Sequence, residues 1–351
     1  MIPRRAFRGK RVWLSGHTGF KGGWLAAWLL ESGAQITGFS LAPTTPFFGQ
    51  LGLSRRLRSE IGDIRDARRV RESILRSRPN FVFHLAAQPL VRKSYHRPLE
   101  TYEVNTMGTA HVLEALRAVL HPCAAVLVTT DKVYRNEGKR HTFREDDPLG
   151  GQDPYSASKA AAEILIGSYR DSFFQNHPVR LASARSGNVI GGGDYAPDRI
   201  LPDAYRALRR GRPIPVRNPR SVRPWQHVLE PTSGYLALAA SLARSRKHEG
   251  AYNFGPSPRD ERTVIELVRE VLKNSRGGWR AFQEKHPPHE AGRLQLQNSK
   301  ARGLLGWQPK LSFSQAVRLT MEWYQASTKP EFDAYGACRS QITEYQNMGG
   351  S

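Results

Sequence analysis

Cysteine is nearly missing from this chain: Cys123 and Cys338 are the only two in 351 residues. Two lone thiols without CxxC or Cys/His spacing exclude a disulfide framework and a cysteine-based metal site. No metal is therefore expected, and a reducing compartment, the cytoplasm, is. Long apolar runs are missing too. No stretch reaches the roughly 20 apolar residues of a membrane helix, so no membrane partner is expected. Met1 to Lys10 is basic, but Leu14 is followed at once by Ser15-Gly16-His17 rather than by an apolar core, so no secretory signal is expected. Repeats, Ser/Gly linkers and low-complexity tracts are also absent, which leaves any two lobes packed together.

Acidic residues are scarce, 31 against 53 lysines and arginines, for a formal net charge of +22. Such a balance raises the question of nucleic-acid binding. The arginines are scattered over helical patterns, Arg65, Arg68, Arg69, Arg71, Arg76 and Arg78 on one and Arg206, Arg209, Arg210 and Arg212 on another. There is no lysine-rich tail and no basic run interleaved with aromatics. Solvated helix faces account for the excess, so no nucleic-acid partner is expected. A milder consequence is a field that attracts anions such as nucleotide diphosphates.

What is present is an alternation of strand and helix. A short apolar strand, residues 11–14, runs into Ser15-Gly16-His17-Thr18-Gly19-Phe20-Lys21-Gly22 and then into a helix from Trp24 to Leu30. A glycine-rich turn between strand and helix lets backbone amides approach a pyrophosphate, although the spacing is GxxGxxG rather than GxGxxG. A second strand over 35–41 ends without the carboxylate that would hold a ribose 2′-hydroxyl and without an arginine for a 2′-phosphate, so NAD and NADP both stay open here. A third strand with a turn spans 60–66, with Asp66 capping the next helix. A fourth, 81–88, ends in small residues, as a ligand crevice needs. A long helix is expected over 99–119, containing Asn105. A fifth strand, 125–130, delivers Thr130, Asp131 and Lys132 to its carboxyl end. Asp153 and Pro154 open a helix carrying Tyr155 and Lys159, and a sixth strand follows at 179–184.

This rhythm predicts an α/β fold with a doubly wound, mostly parallel, Rossmann-type sheet over residues 1–190. From 191 to 351 helices at 201–210, 230–243, 263–273 and 312–324 are separated by polar loops, with minor strands at 214–216 and 252–254. This half reads as a smaller mixed α/β lobe closing over the cleft, with some exchange of chain between the lobes.

Tyr155 and Lys159 share a helical face. An ammonium there lowers the phenol pKa, so that a phenolate can take a proton from an alcohol. His84, on a buried strand, reads as a hydrogen-bonded core histidine, and Trp225 and His227 as core of the second lobe.

The motifs SGHTGFKG (15–22), GDIRD (62–66), HLAAQPLVR (84–92), TTDKVY (129–134), DPLGGQDPYSASKAAAE (147–163), GNVIGGGD (187–194), RPWQHVLEP (223–231) and NFGP (253–256) follow one another in a distinctive order. In that order the chain resembles the extended short-chain dehydrogenases/reductases, and among them the CDP-glucose 4,6-dehydratases, over about residues 8–330. Ser15 departs mildly, standing where threonine is usual.

The resemblance implies NAD as cofactor and CDP-glucose as substrate. It places the pyrophosphate on the turn with Gly16, Thr18, Gly19, Phe20 and Gly22, the adenine by Asp63 and Ile64, and the rest of the cofactor along Leu85 and Ala86. Tyr155 takes the C4 hydroxyl proton, Lys159 holds the nicotinamide ribose and tunes Tyr155, and Thr130 bonds the C4 oxygen. Asp131 donates a proton to the departing C6 hydroxyl, which requires a protonated carboxyl. Lys132 stands where related dehydratases carry glutamate as the C5 base. It acts either as that base, when neutral, or as an electrostatic stabiliser of the enolate. Asn188, Arg199, Arg217 and Arg223 are candidates for the sugar and its diphosphate.

The implied enzyme is a lyase, a hydro-lyase making CDP-4-keto-6-deoxyglucose for surface polysaccharides such as the O-antigen of lipopolysaccharide. It is a homodimer or homotetramer, paired through the helices at 99–119 and 154–174. Alternatives are another nucleotide-sugar 4,6-dehydratase or epimerase of the same family, or a catalytically silent nucleotide- or nucleic-acid-binding relative.

Overall fold

The computed structural model of the chain describes residues 4–138, 141–273, 275–282 and 294–348. Seven strands make the central sheet: β1 (Arg11–Ser15), β2 (Gln35–Ser40), β3 (Arg58–Ile61), β4 (Phe81–His84), β5 (Cys123–Val128), β6 (Val179–Arg185) and β7 (Gly250–Asn253). All neighbours are parallel, in the spatial order β7-β6-β5-β4-β1-β2-β3. Parallel strands need crossovers, and the crossovers place helices on both faces. The principal helices are α1 (Phe20–Glu31), α2 (Ala67–Ser77), α3 (Gly108–Arg117), α4 (Pro154–Phe173), α5 (Leu229–Arg244) and α6 (Ala334–Asn347).

The strands alternate between two cores because successive side chains point to opposite faces. Val12, Leu14, Phe81, Phe83 and Val126 pack with Trp24 and Trp28 of α1 and Leu236 of α5. Trp13, Val82, Ala125 and Leu127 pack with Val70 of α2, Leu113 of α3 and Ile166 of α4. Covered on both faces, β5 is buried from end to end.

Several expectations are corrected. The apolar piece at 252–254 is not a minor strand of a second lobe: Gly250–Asn253 pairs with Ala182–Arg185 and becomes the seventh strand of the sheet. Tyr252 and Asn253 are fully buried there, as residues of a sheet covered on both faces are. The expected minor strand Ile214–Val216 is present and pairs in parallel with Trp279–Ala281.

The long helix at 99–119 is interrupted. Pro98–Tyr102 and α3 flank a π-helical turn at Glu103–Met107. The wider turn has a local cause. Buried Asn105 bonds outside its helix: its Oδ1 accepts from the Gln88 amide at 2.9 Å, and its Nδ2 donates to the Gln88 carbonyl at 3.1 Å and to Ser158 Oγ at 2.9 Å. The third strand stops at Ile61, leaving 62–66 as a turn whose Asp66 does cap α2. Arg65 and Arg78 lie outside α2, Arg78 as a left-handed C-cap, and Arg212 lies beyond the helix Ile200–Arg209.

Candidate active site

The sheet reverses its winding between β1 and β4, and in such sheets the crevice at the strands' carboxyl ends is where ligands bind. Ser15 closes this junction. Its hydroxyl accepts from the Leu85 and Ala86 amides at 3.0 and 3.1 Å and meets His84 Nδ1 at 2.7 Å. His84 is buried with Thr109 on its other nitrogen at 3.2 Å, and burial pulls its imidazole down to about 3, so the ring is neutral.

The next residue must be glycine. Gly16 has φ +77°, and a Cβ there would lie 2.8 Å from the Ala86 nitrogen. Gly22 is tighter still, since a Cβ would lie 2.0 Å from the Gly16 carbonyl oxygen. A Gly22→Ala variant is accordingly expected to lose about 1–3 kcal/mol through overpacking, read as a lowered melting temperature. Wild-type melting would contradict the account of the turn.

Above the junction opens a cleft of about 1160 Å³. That exceeds the ~300–1,000 Å³ of an ordinary small-molecule pocket and leaves room for two nucleotides side by side. Gly16, Thr18, Gly19, Phe20 and Gly22 line it, as do Asp63, Ile64, Leu85 and Ala86. No side chain caps α1 at Gly19, so the first-turn amides and the positive end of the helix are offered to the cleft. Thr18 bridges to the end of β2, with its Oγ1 2.8 Å from Ser40 Oγ and donating to the Leu41 carbonyl at 3.1 Å. Asp63 is gripped by Arg65, whose amide and guanidinium donate to both carboxylate oxygens and hold it below the usual carboxylate range. A bare helix terminus, a backbone cradle and hydroxyls at the β2 end together fit a dinucleotide.

Thr130, Lys132, Tyr155 and Lys159 line the same cleft further along. Tyr155 is the second residue of α4, set by Asp153, whose carboxylate caps the helix by accepting from the Ser156 amide at 2.9 Å. Burial pushes the Tyr155 phenol up to about 12; a hydrogen bond with Thr130 and the Arg199 charge pull it back, while Asp131 and Asp153 push it further. Lys159 Nζ donates to the Val128 carbonyl at 3.3 Å, and burial pulls its ammonium down to about 8, opposed by Glu163.

Asp131 is placed differently from its neighbours. It is wholly buried beneath Gly187, where a Cβ would lie 2.0 Å from its carboxylate. Thr130 Oγ1, Lys132 Nζ and Asn188 Nδ2 donate to it at 3.0, 3.3 and 2.9 Å. Both of its oxygens accept in this arrangement. Asn188 reaches it from a left-handed backbone, φ +50°.

The candidate arginines lie across the cleft. Arg199 pairs with Asp194 at 2.9 Å, Arg217 with Asp198, and Arg223 donates to the Val222 carbonyl at 3.1 Å. All three line the cleft, and so does Trp225, though it is largely buried; His227 is completely buried.

Lys21 was missed at the sequence level. It sits in the first turn of α1, with Nζ 3.4 Å from Ser186 Oγ. Burial pulls its ammonium down to about 7, aided by Arg199 and opposed by Asp131, with Lys159 and Lys132 lowering it further. The signal was present in the glycine motif, where a lysine at a helix start faces whatever the turn cradles. Lys132, Lys159 and Arg199 thus lie close enough to Lys21 to weaken its hold on its proton, an arrangement suited to an anionic ligand.

The sequence pattern of the GDP-mannose 4,6 dehydratase family matches residues 14–320. A CDP-glucose 4,6-dehydratase of Salmonella typhimurium is 44% identical over 357 residues, covering 99% of either chain. A dTDP-glucose 4,6-dehydratase of Xanthomonas campestris is 29% identical over 75% of this chain and 77% of its own. Among solved structures, a dTDP-glucose 4,6-dehydratase of Streptomyces venezuelae with NAD and TYD bound superposes with a TM-score of 0.78 at 23% identity, over 90% of this chain and 97% of its own. An epimerase of Methanothermobacter thermautotrophicus does so with a TM-score of 0.78 at 22% identity, over 96% of each chain. These two share the fold. The chain belongs to the GDP-mannose 4,6-dehydratase family of extended short-chain dehydrogenases/reductases, and within it to the CDP-glucose 4,6-dehydratases.

Proposed function

We propose that this protein converts CDP-glucose to CDP-4-keto-6-deoxyglucose, with tightly held NAD as cofactor. The observation that carries this reading is the meeting of Thr130, Lys132, Tyr155 and Lys159 on one cleft, in a chain 44% identical over its whole length to a CDP-glucose 4,6-dehydratase. NAD is favoured over NADP by the neutral hydroxyls of Thr18 and Ser40 at the β2 end and by the NAD bound to the Streptomyces venezuelae enzyme. We read residues 1–190 as the cofactor lobe and 191–351 as the sugar-nucleotide lobe, the latter lending α5 and β7 to the sheet.

NAD held by the Gly16–Gly22 turn would supply a reversible store for the hydride that leaves C4 of the sugar and ends at C6. The chain supplies the proton chemistry. Tyr155 takes the C4 hydroxyl proton, with Thr130 bonding the same oxygen and the Lys159 ammonium stabilising the phenolate. The C4 ketone acidifies the C5 hydrogen, and Lys132, beside the cleft, either removes it or stabilises the resulting enolate. Asp131, buried behind Thr130 rather than in the cleft wall, is the source of the proton for the departing C6 hydroxyl, passed on through the Thr130 hydroxyl, and C5 regains a proton as hydride reaches C6. The net change is loss of one water, with no net oxidation. Asn188, Arg199, Arg217 and Arg223 hold the substrate, each guanidinium exchanging a protein oxygen for one of the diphosphate or sugar.

Incubation of the protein with CDP-glucose should yield a 4-keto product, seen by its alkaline ultraviolet band, without steady release of NADH. A steady rise of free NADH would indicate a simple dehydrogenase and overturn the reading. Cytoplasmic deoxysugar synthesis for surface polysaccharide is the role we assign. Among the described residues no helix is long and apolar enough to cross a membrane.

We further propose a homodimer through α4 and the segment 98–117, where Leu99, Met107, Ile164 and Phe173 are exposed large apolar side chains. An Ile164→Asp variant is expected to shift the protein from dimer to monomer by light scattering. A monomeric wild type would contradict this pairing.

A further inference from the structure

Glu163 lies one helical turn beyond Lys159 on α4, behind the cleft, and none of the steps above uses it. It is buried, and every partner donates to it. Its Oε1 accepts from Thr129 Oγ1 at 2.5 Å, and its Oε2 accepts from Ser183 Oγ and Arg185 Nη2, both at 2.8 Å. Arg185 also donates from Nη1 to the Tyr134 hydroxyl and to the Glu145 carbonyl, each at 2.8 Å, and Tyr134 donates to Asn253 Oδ1 at 2.6 Å. One carboxylate therefore ties α4 to the carboxyl ends of β5 and β6 and, through Arg185 and Tyr134, to β7.

Its position along β5 matters. Thr129 stands between Val128, whose carbonyl receives Lys159 Nζ, and Thr130, which bonds Tyr155. Anchoring Thr129 fixes both neighbours against the helix that carries their partners. The charges around Lys159 point the same way. Tyr155 and Glu163 share its helix, His84 faces it from β4 and Lys21 from α1, while Asp131 and Lys132 lie beyond the end of β5 and Arg185 of β6 pairs with Glu163 itself. His84 is neutral, Lys21 holds its proton only weakly, and Arg185 is a cation. Asp131 is engaged with Thr130, Lys132 and Asn188. Glu163 is the carboxylate that opposes the loss of the Lys159 proton on burial.

We propose that Glu163 is a positioning residue for the dehydration: it supplies the buried counter-charge that keeps Lys159 an ammonium, and it clamps the Val128–Thr130 strand end against the helix bearing Tyr155. This rests on the reading that Tyr155 and Lys159 act on the C4 hydroxyl. It goes beyond that reading in placing the control of the lysine one turn away, on a residue that touches neither substrate nor cofactor.

The test is the pH profile of kcat with CDP-glucose for wild type, Glu163→Gln and Ser183→Ala. Glutamine keeps the shape and an acceptor for Arg185 and Ser183, while its amide can donate to Thr129 Oγ1. Without the charge, Lys159 sheds its proton at lower pH, so the alkaline limb should move down by about one pH unit, with KM nearly unchanged. Ser183→Ala removes a hydrogen bond but no charge. It should lower the melting temperature and leave the limb in place. If Glu163→Gln keeps the wild-type limb and loses only thermal stability, the residue is a structural ion-pair partner and the proposal fails. Glu163→Asp, which keeps the charge but withdraws it by one methylene, covers the case in which glutamine prevents folding. About half the displacement is expected of it, and none would overturn the proposal. A wild type that does not turn over CDP-glucose would instead overturn the parent reading, so the two failures are distinct.

Discussion

Replacing Tyr155 with phenylalanine is expected to lower kcat by about 10²–10⁴-fold while leaving KM for CDP-glucose within a few-fold of wild type. The hydroxyl removed is the one that must take the C4 proton, and its loss leaves the apolar ring in place in the wall of the cleft. The split between kcat and KM follows, since an interaction needed only as the proton moves affects the transition state more than the bound substrate. Burial pushes the phenol up to about 12, with Thr130 and Arg199 pulling against it. Rate should therefore rise with pH on the acid side of the wild-type profile, as more of the phenol is ionised, until the loss of the Lys159 proton limits it, and this rising limb should vanish in Tyr155→Phe. Steady-state kinetics across pH reads both effects. Retention of kcat would assign the proton transfer to another group.

Replacing Asp131 with asparagine is expected to separate the two halves of the reaction. Oxidation at C4 depends on Tyr155, Thr130 and Lys159, which keep their places. Loss of the C6 hydroxyl depends on a proton that an amide cannot give. The C4-oxidised sugar with its C6 hydroxyl intact should accumulate on the enzyme, and the dehydrated product should fall by about 10²-fold or more. Stability should fall as well. Asp131 accepts from Thr130, Lys132 and Asn188, whereas an amide turns one of its two ends into a donor. A buried donor left facing donors costs about 1–3 kcal/mol. Rapid quench with mass analysis of the bound sugar measures the first effect, thermal denaturation the second. Normal release of dehydrated product would remove Asp131 from the role of acid.

Much of the architecture could be read from the chain before its coordinates. Five of the first six strands were legible because each carries an apolar run of strand length bounded by turn residues, with helical patterns between; β3, Arg58-Ser59-Glu60-Ile61, has no such run and lies earlier than the expected 60–66. Two local caps were legible as well: Asp66 and Asp153 mark real helix starts. β7 was misjudged because its partner, β6, lies some 65 residues earlier in the chain, and nothing local in Gly250–Asn253 records a neighbour that distant. The π-helical turn at Glu103–Met107 has a tertiary cause, the bonds of Asn105 to Gln88 and Ser158, which no periodicity carries. α6 could have been found. Ala334, Cys338, Ile342 and Tyr345 recur at helical spacing and are buried, but the polar residues between them mask the pattern.

The site divided along the same line. Residues in short motifs that face a ligand were visible: the glycine turn, Thr130 to Lys132, and Tyr155 with Lys159. Residues that act through others were not. Lys21 lies inside a quoted motif but is hidden by attention to the glycines around it. Glu163 closes another motif, and its weight depends on Thr129, Ser183 and Arg185, brought to it from two other strands.

The central claim is that one active site removes hydride from C4 and returns it to C6 of the same sugar while a single water departs. CDP-glucose carrying deuterium at C4 tests this most directly, with the product analysed by mass spectrometry and proton NMR. The account predicts a product lighter by one water, with the deuterium retained and located at C6. A product of unchanged mass, or one lighter by water but with the label lost to solvent, would contradict it.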